Sequence, residues 1–189
     1  LCNGMFDLPY TSGSDCAFAT ITYGISQVDL GGDLYVAGGT YNESLDLNRE
    51  ITLTISGNIT LTGNLNIQNG TLNAPAGTLS LAGNYSRTAP GIFYNSLGTL
   101  EMNGSAQQSI GGGAVTSFHH LRINNPQNVR LDFTQSVFMT LTLQTGSLIL
   151  GSNRLELAPQ AKIVGSYSAS NMIVAENGSL CKDYREYDP

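Results

Sequence analysis

Residues 59–67 read Ile59-Thr60-Leu61-Thr62-Gly63-Asn64-Leu65-Asn66-Ile67, and a shorter version returns as Leu79-Ser80-Leu81-Ala82-Gly83-Asn84-Tyr85. In both stretches two apolar residues flank a polar one, a Gly-Asn corner follows, and an apolar residue comes next. Such alternation is typical of a short strand with one buried face. Two copies 20 residues apart indicate an internal repeat, which has to be recognised before any local assignment is made.

The repeat extends over most of the chain as three rows of apolar residues. In the first row the leading members are 20, 21, 21 and 20 residues apart. The first row is Ile59/Leu61, Leu79/Leu81, Leu100/Met102, Leu121/Ile123 and Leu141/Leu143. The second row is Leu65/Ile67, Tyr85, Ile110, Val129/Leu131 and Leu148/Leu150. The third row is Leu72, Phe93, Val115, Val137, Leu157 and Leu180.

Three rows with one period predict a solenoid, in which each turn of the chain carries three short strands. Stacked turns lie about 4.8 Å apart, so the inward residues form continuous aliphatic columns. Gly, Asn and Ser at the corners suit tight turns. A β-sandwich also has short strands, but they recur every ~8–12 residues and do not share three registers of one period. Leucine-rich repeats have a similar length, but their L-x-x-L-x-L pattern does not occur in this chain.

Ahead of the first turn, Ala19 to Val28 is the one segment with helical periodicity. Ile21, Ile25 and Val28 fall on a single apolar stripe, and Gly31-Gly32 ends the pattern. An open solenoid end exposes core and strand edge, so this amphipathic helix is expected to cap the first turn. The predicted organisation is an N-terminal segment with capping helix over 1–31, a β-helix over 32–180, and a tail over 181–189 that leads to a further segment or partner.

Composition and charge exclude several classes of function. The net charge is −6, with 14 acidic residues against 8 basic ones. So few cations provide no stripe for nucleic acid phosphates or an anionic membrane surface. No apolar run approaches the roughly 20 residues that span a bilayer. Leu1-Cys2 does not begin a signal peptide, which favours a mature, processed chain.

The three cysteines are Cys2, Cys16 and Cys181. Cys2 and Cys16 are close in sequence, which in an exported protein predicts a local disulfide. About seven turns would separate Cys181 from them by roughly 30 Å, and a disulfide requires Cα atoms within about 7 Å. Cys181 is therefore expected to be a free or intermolecular thiol. The alternatives are three free thiols in a cytosolic protein and, less in keeping with the spacing, a zinc site.

Two parts of the chain resemble known families. Ala19-Thr20-Ile21 and Gly32-Asp33-Leu34-Tyr35-Val36-Ala37-Gly38-Gly39-Thr40-Tyr41-Asn42-Glu43 resemble the start of pectin-lyase-like right-handed β-helices. Gly98–Gly104, Gln108–Gly112, Phe118–Asn125 and Asn177–Lys182 are similar to repeat-rich surface and adhesin proteins that Bacteroidota export by type IX secretion. The resemblance implies an extracellular, cell-surface location and a right-handed coil. It also suggests the N-terminal piece of a longer protein, since no C-terminal sorting domain is present. The full expectation is an all-β, right-handed three-faced parallel β-helix of about seven turns of about 21 residues, with a short N-terminal capping helix.

A polysaccharide lyase or hydrolase of this fold would need clustered carboxylates, either to bind Ca²⁺ or to act as the general acid and the general base. The acids Asp46, Glu101, Asp132, Glu156 and Glu176 fall on different rows or distant turns. Glu101 and Arg122 are the central residues of stacked pairs, so they are expected to form a cross-turn surface pair worth well under about 1 kcal/mol.

His119 and His120 are adjacent on one strand and are not expected to chelate one metal together. No catalytic, cofactor or metal residue is therefore predicted.

The sequence thus favours a non-enzymatic, extracellular structural or adhesive β-helix module of a bacterial surface protein or filament. Its expected partner is a further segment of the same polypeptide, or another copy, that covers the C-terminal turn. Surface glycans are a second possible partner, whereas nucleic acid and membrane are not expected. The alternative is a carbohydrate-binding or polysaccharide-cleaving β-helix, for which outward aromatics would be the sign. The candidates are Tyr85, Phe93, Tyr94 and Phe118, although several of them are expected to look inward.

Overall fold

A computed structural model describes residues 18–95, 97–182 and 184. The chain forms an all-β, parallel β-solenoid of about seven turns. In chain order the elements of the described residues are α1 (Ile21–Gln27), β1 (Asp33–Tyr41), β2 (Leu45–Leu47), β3 (Thr52–Leu61), β4 (Leu65–Ile67), β5 (Thr71–Asn73), β6 (Thr78–Leu81), β7 (Tyr85–Arg87), β8 (Ile92–Tyr94), β9 (Thr99–Met102), β10 (Gln108–Gly111), β11 (Ser117–Asn124), β12 (Val129–Leu131), β13 (Gln135–Thr145), β14 (Leu148–Ile149), β15 (Arg154–Leu157), β16 (Lys162–Gly165), β17 (Ile173–Val174) and β18 (Ser179–Lys182).

The first row stacks in parallel register from β3 to β16. Ile59 pairs with Leu79, Leu79 with Leu100, Leu100 with Leu121, Leu121 with Leu141, and Leu141 with Ile163. The first five of these residues are at most 1% exposed. The spacing of 20 or 21 residues therefore corresponds to one turn of the solenoid, as the sequence predicts.

The second row stacks in the same way but changes register in the middle of the molecule. Leu65 pairs with Tyr85, Tyr85 with Ile110, and Ile110 with Leu131. In the same strands an additional column begins two residues earlier, at Gln108. Gln108 pairs with Val129, and Val129 pairs with Leu148. The chain needs 25 residues to pass from Tyr85 to Ile110, instead of about 20, so this turn contains an insertion.

The third row is interrupted at that insertion. Leu72 pairs with Phe93, but the column resumes with Phe118, which pairs with Val137, and Val137 pairs with Leu157. Val115, which the spacing assigns to this row, is 46% exposed, so that assignment is wrong. Leu180 pairs with Leu155 rather than with Leu157.

Aromatic side chains fill the interior where the third-row ladder is missing. Tyr85, Phe93 and Phe118 pack edge to face, with ring centroids 5.4 to 6.0 Å apart. Aromatic rings provide the large apolar volume that the wider turn requires. Three of the four aromatics that the sequence offers as outward candidates therefore lie in or against the core.

The helix α1 covers the first turn, as predicted. The Thr20 side chain accepts a hydrogen bond from Tyr23 N at 3.1 Å, as an N-cap residue does. Ile21 and Ile25 are buried against the core, and Gly24 lies close to Leu34 of β1. The helix is shorter than the periodic segment 19–28, and the last strand β18 continues to Lys182, two residues past the predicted end of the β-helix.

Candidate functional site

The outer face of the first row carries the charged pair that the sequence predicts. Thr60, Ser80, Glu101, Arg122 and Thr142 are consecutive partners in neighbouring strands. One nitrogen of the Arg122 guanidinium lies 3.7 Å from Glu101 Oε1. At that separation the two groups form an ion pair without a hydrogen bond between them.

Hydrogen bonds hold Glu101 more firmly than the ion pair does. Ser80 Oγ donates to Glu101 Oε2 at 2.8 Å, and Asn124 Nδ2 donates to Oε1 at 3.1 Å. The Glu101 side chain is only 12% exposed, against 38% for Arg122. Arg122 Nε is buried without a hydrogen-bond partner in the described part of the chain. The arrangement is a polar ladder across three turns.

His119 and His120 both lie half-buried beside this ladder. Their ring centroids are 4.6 Å apart, and His119 also contacts the ring of Phe138, at 5.6 Å. A register shift between Phe118 and His120 breaks the alternation, so neither histidine enters the buried core. Partial burial lowers the pKa of His120, and the nearby His119 and Arg122 lower it further.

The remaining acids are distributed along the solenoid. Asp46 accepts a hydrogen bond from Asn66 at 2.5 Å, Asp132 and Glu176 lie 3.9 and 3.2 Å from Arg130, and Glu156 lies 3.2 Å from Arg154. Within residues 18–95, 97–182 and 184, no group of three or more His, Cys, Asp or Glu side chains is placed to hold a metal ion. The structure thus brings Glu101 next to Arg122, and it brings Asp132 and Glu176 to the same Arg130.

Cys181 is a free, half-buried thiol on β18, with its Sγ 3.9 Å from Ser179 Oγ. It pairs with Glu156 in the ladder between β15 and β18. Cys2 and Cys16 lie outside the described residues, so the predicted disulfide between them stays a prediction.

Sequence reasoning missed a group of buried amide side chains at the insertion. Gln108 Nε2 donates to Leu81 O at 2.8 Å and also to Gly83 O. Its Oε1 accepts from Gly104 N at 2.8 Å and from Asn125 Nδ2 at 2.9 Å. Gln108 and Asn125 are 2% and 0% exposed. The signal in the sequence was the longer spacing between Tyr85 and Ile110. An inserted segment adds buried backbone groups, and these require hydrogen-bond partners such as amide side chains.

The two ends of the described solenoid differ. In the first turn Leu34, Val36 and Leu45 are at most 6% exposed. In the last turn Ile163 and Ile173 are only partly buried, and Leu180 is 42% exposed. Strands β16, β17 and β18 each have a described ladder partner on one side only, as β1 and β2 do, but β1 and β2 also contact helix α1.

Comparison with known proteins gives no match: no family model, no curated protein and no solved structure aligns with the chain. Within the described residues, none of the helical structure is long and apolar enough to cross a bilayer.

Proposed function

We propose that the chain is a non-enzymatic structural or adhesive module of an extracellular bacterial assembly, joined to its neighbour through the C-terminal turn. The resemblance of its repeats to Bacteroidota surface proteins supports the location, and the resemblance of 32–43 to pectin-lyase-like β-helices supports the right-handed coil. The neighbour is a strand-bearing segment, supplied by the same polypeptide or by another copy.

The observation that carries this proposal is the difference between the two ends. Helix α1 closes one end, whereas 42% of Leu180 is exposed at the other, beside the partly buried Ile163 and Ile173. Unpaired strand edges and exposed apolar columns favour association with another strand. The interior between the ends is continuously packed, which suits a rigid spacer.

Sedimentation and hydrogen exchange test the joining role. We expect the 189-residue chain to associate as its concentration rises, with slower exchange in β16, β17 and β18 of the associated form. Leu180→Glu should abolish association, because it places a charge on the apolar end. Leu30→Glu is the matched control, since Leu30 is 68% exposed and precedes β1.

The possible outcomes separate the candidate neighbours. Association that Leu180→Glu prevents identifies another copy as the neighbour. A monomer with fast exchange in β16 to β18 leaves the end uncovered and points to a segment outside this chain. A monomer whose last turn exchanges as slowly as the middle of the solenoid contradicts the proposal.

With the proposed extracellular location goes a disulfide between Cys2 and Cys16, with Cys181 left free or joined to an intermolecular partner. Peptide mapping of the unreduced native protein should recover these two cysteines in one linked pair. A Cys181 linked within one chain to either of them would contradict this assignment.

A further inference from the structure

A cleft crosses three successive turns at one corner of the solenoid, close to its C-terminal end. Its volume is about 480 Å³, within the range of roughly 300–1,000 Å³ that is usual for small-molecule sites. The residues that line it are Pro126, Gln144, Thr145, Gly146, Ser166, Tyr167, Ser168, Ser170 and Asn171. The cleft is distinct from the Glu101 ladder, with which it shares no lining residue.

The wall of the cleft is a long corner loop, 166–172, between β16 and β17. The equivalent corner of an earlier turn, 62–64 between β3 and β4, needs only three residues. Main-chain hydrogen bonds join Ser168 and Asn171 in both directions, at 3.2 and 3.1 Å. Tyr167 Oη donates to Ile163 O at 2.9 Å. These hydrogen bonds close the loop on itself and attach it to β16.

Asn171 attaches this loop to the preceding turn. Its Nδ2 donates to Leu143 O at 3.1 Å and to Ser166 O at 2.6 Å, and the residue is only 7% exposed. Its Oδ1 has no hydrogen-bond partner among the described residues. Asn171 therefore fixes the wall of the cleft to the preceding turn.

The lining combines one exposed aromatic ring with uncharged hydrogen-bonding groups. Tyr167 is 61% exposed, and four hydroxyl side chains and two amides accompany it. No Asp, Glu, Lys, Arg or His is among the lining residues. An aromatic face packs against C–H groups, while hydroxyls and amides both donate and accept. A sugar ring offers C–H faces and hydroxyl groups together. Without a cation in the lining, a carboxylate or phosphate ligand would have no charged partner.

The geometry points to this cleft as a binding site for a neutral saccharide, with the ring of Tyr167 as the stacking surface. The inference does not rest on the joining role proposed above: the loop 166–172 belongs to the last turn, but the cleft lies at a corner and not along the strand edges.

A titration monitored by NMR tests the site on the ¹⁵N-labelled chain. The probes are maltotriose, cellotriose, mannotriose and chitotriose, with trigalacturonate as the charged comparison. At least one neutral trisaccharide should shift the amide signals of 144–146 and 166–171, and trigalacturonate should not. Tyr167→Ala should weaken that binding about tenfold or more, whereas Tyr167→Phe, which keeps the ring, should stay close to the native affinity.

Tyr94→Ala is the matched control, since Tyr94 is also 61% exposed but lies outside the cleft. This variant should bind the trisaccharide with the affinity of the native chain. The inference is wrong if no neutral trisaccharide shifts the cleft signals, or if Tyr167→Ala, with a well-dispersed spectrum, binds as the native chain does. It is also wrong if the cleft signals move only with protein concentration, because the occupant is then another copy of the chain.

Discussion

At the scale of single residues, Glu101 and Glu156 can be compared directly. Each faces outward from a strand and lies near an arginine, and the closest approach is shorter for Glu156, 3.2 Å against 3.7 Å for Glu101. Their surroundings differ, because the Glu156 side chain is 44% exposed and that of Glu101 is 12% exposed. Burial and hydrogen bonding, rather than the ion-pair distance, should therefore determine their contributions.

We expect Glu101→Ala to lower the free energy of unfolding by about 1–3 kcal/mol, because it leaves Ser80 and Asn124 without an acceptor and Arg122 without its ion-pair partner. Glu156→Ala should cost less than about 0.5 kcal/mol, as an exposed ion pair does. Urea denaturation of the two variants measures the difference. Equal costs would show that the hydrogen bonds to Glu101 contribute little.

His120 is the second residue whose surroundings can be measured directly. Its folded pKa lies below 6.5, first because of burial and then because of His119 and Arg122. As the pH falls below about 6.5, the unfolded chain therefore takes up the proton before the folded chain does. The stability that neutral His120 provides above that pH is lost as the pH falls toward the folded pKa.

An NMR titration of the His120 ring should give a pKa below 6.5 in the native chain. His119→Gln should raise that pKa only part of the way, because burial is the larger cause. A pKa of 6.5 or above in the native protein would contradict the described packing of the two rings.

At the scale of elements, the insertion between β7 and β10 depends on Gln108. The Gln108 side chain makes four hydrogen bonds to groups of the wider turn and its neighbours. Gln108→Ala should lower the free energy of unfolding by at least about 2 kcal/mol, because several buried groups lose their partners together. Gln107→Ala is the matched control at the adjacent, exposed residue and should change stability by less than about 0.5 kcal/mol. Similar values for the two variants, from thermal or urea unfolding, would argue against the buried amide network.

The first row could be predicted from sequence because its spacing never departs from one turn. Leu79, Leu100 and Leu121 keep the same parallel register, and this register also places Glu101 beside Arg122. The third row could not be followed past Phe93, because its next inward member, Phe118, lies 25 residues further along instead of about 21, although the first row keeps its spacing. Val115 fits the spacing but lies outside, and Phe118 takes the inward position at the start of a strand that bends around a corner.

Two features of the surface left no periodic signal at all. His119 and His120 are both half-exposed because the strand has a bulge between Phe118 and His120. The alternation of apolar and polar residues in the sequence does not reveal such a bulge. The cleft around Tyr167 is formed by a loop of irregular sequence against corners of other turns. Sequence spacing locates residues within a repeat, but it gives no information where the chain leaves the repeat.

At the scale of the whole molecule, contacts run mainly between neighbouring turns. A destabilising substitution should therefore affect the turns next to it most, and its effect should depend on whether it lies at an end or in the middle. Leu121→Ala, in the middle, and Ile25→Ala, in the capping helix, each remove buried apolar volume at a cost of about 2–5 kcal/mol. We expect Ile25→Ala to speed hydrogen exchange mainly in β1 and β2, and Leu121→Ala to speed exchange on both sides of β11. Hydrogen exchange with mass spectrometry measures both patterns. Uniform acceleration by Ile25→Ala would show that the solenoid opens as a single cooperative unit.

The parallel stacking of turns also determines how the molecule responds to tension. Because the strands between the two ends pair mostly with strands of the turns before and after them, the hydrogen bonds between turns point along the long axis. A force that pulls β1 away from β18 would load these bonds one turn at a time, so turns would peel from an end in sequence. Each detached turn of about 20 residues would release roughly 70 Å of extended chain. Under tension the solenoid would lengthen in steps and absorb work, whereas under compression or bending its packed columns would keep it stiff.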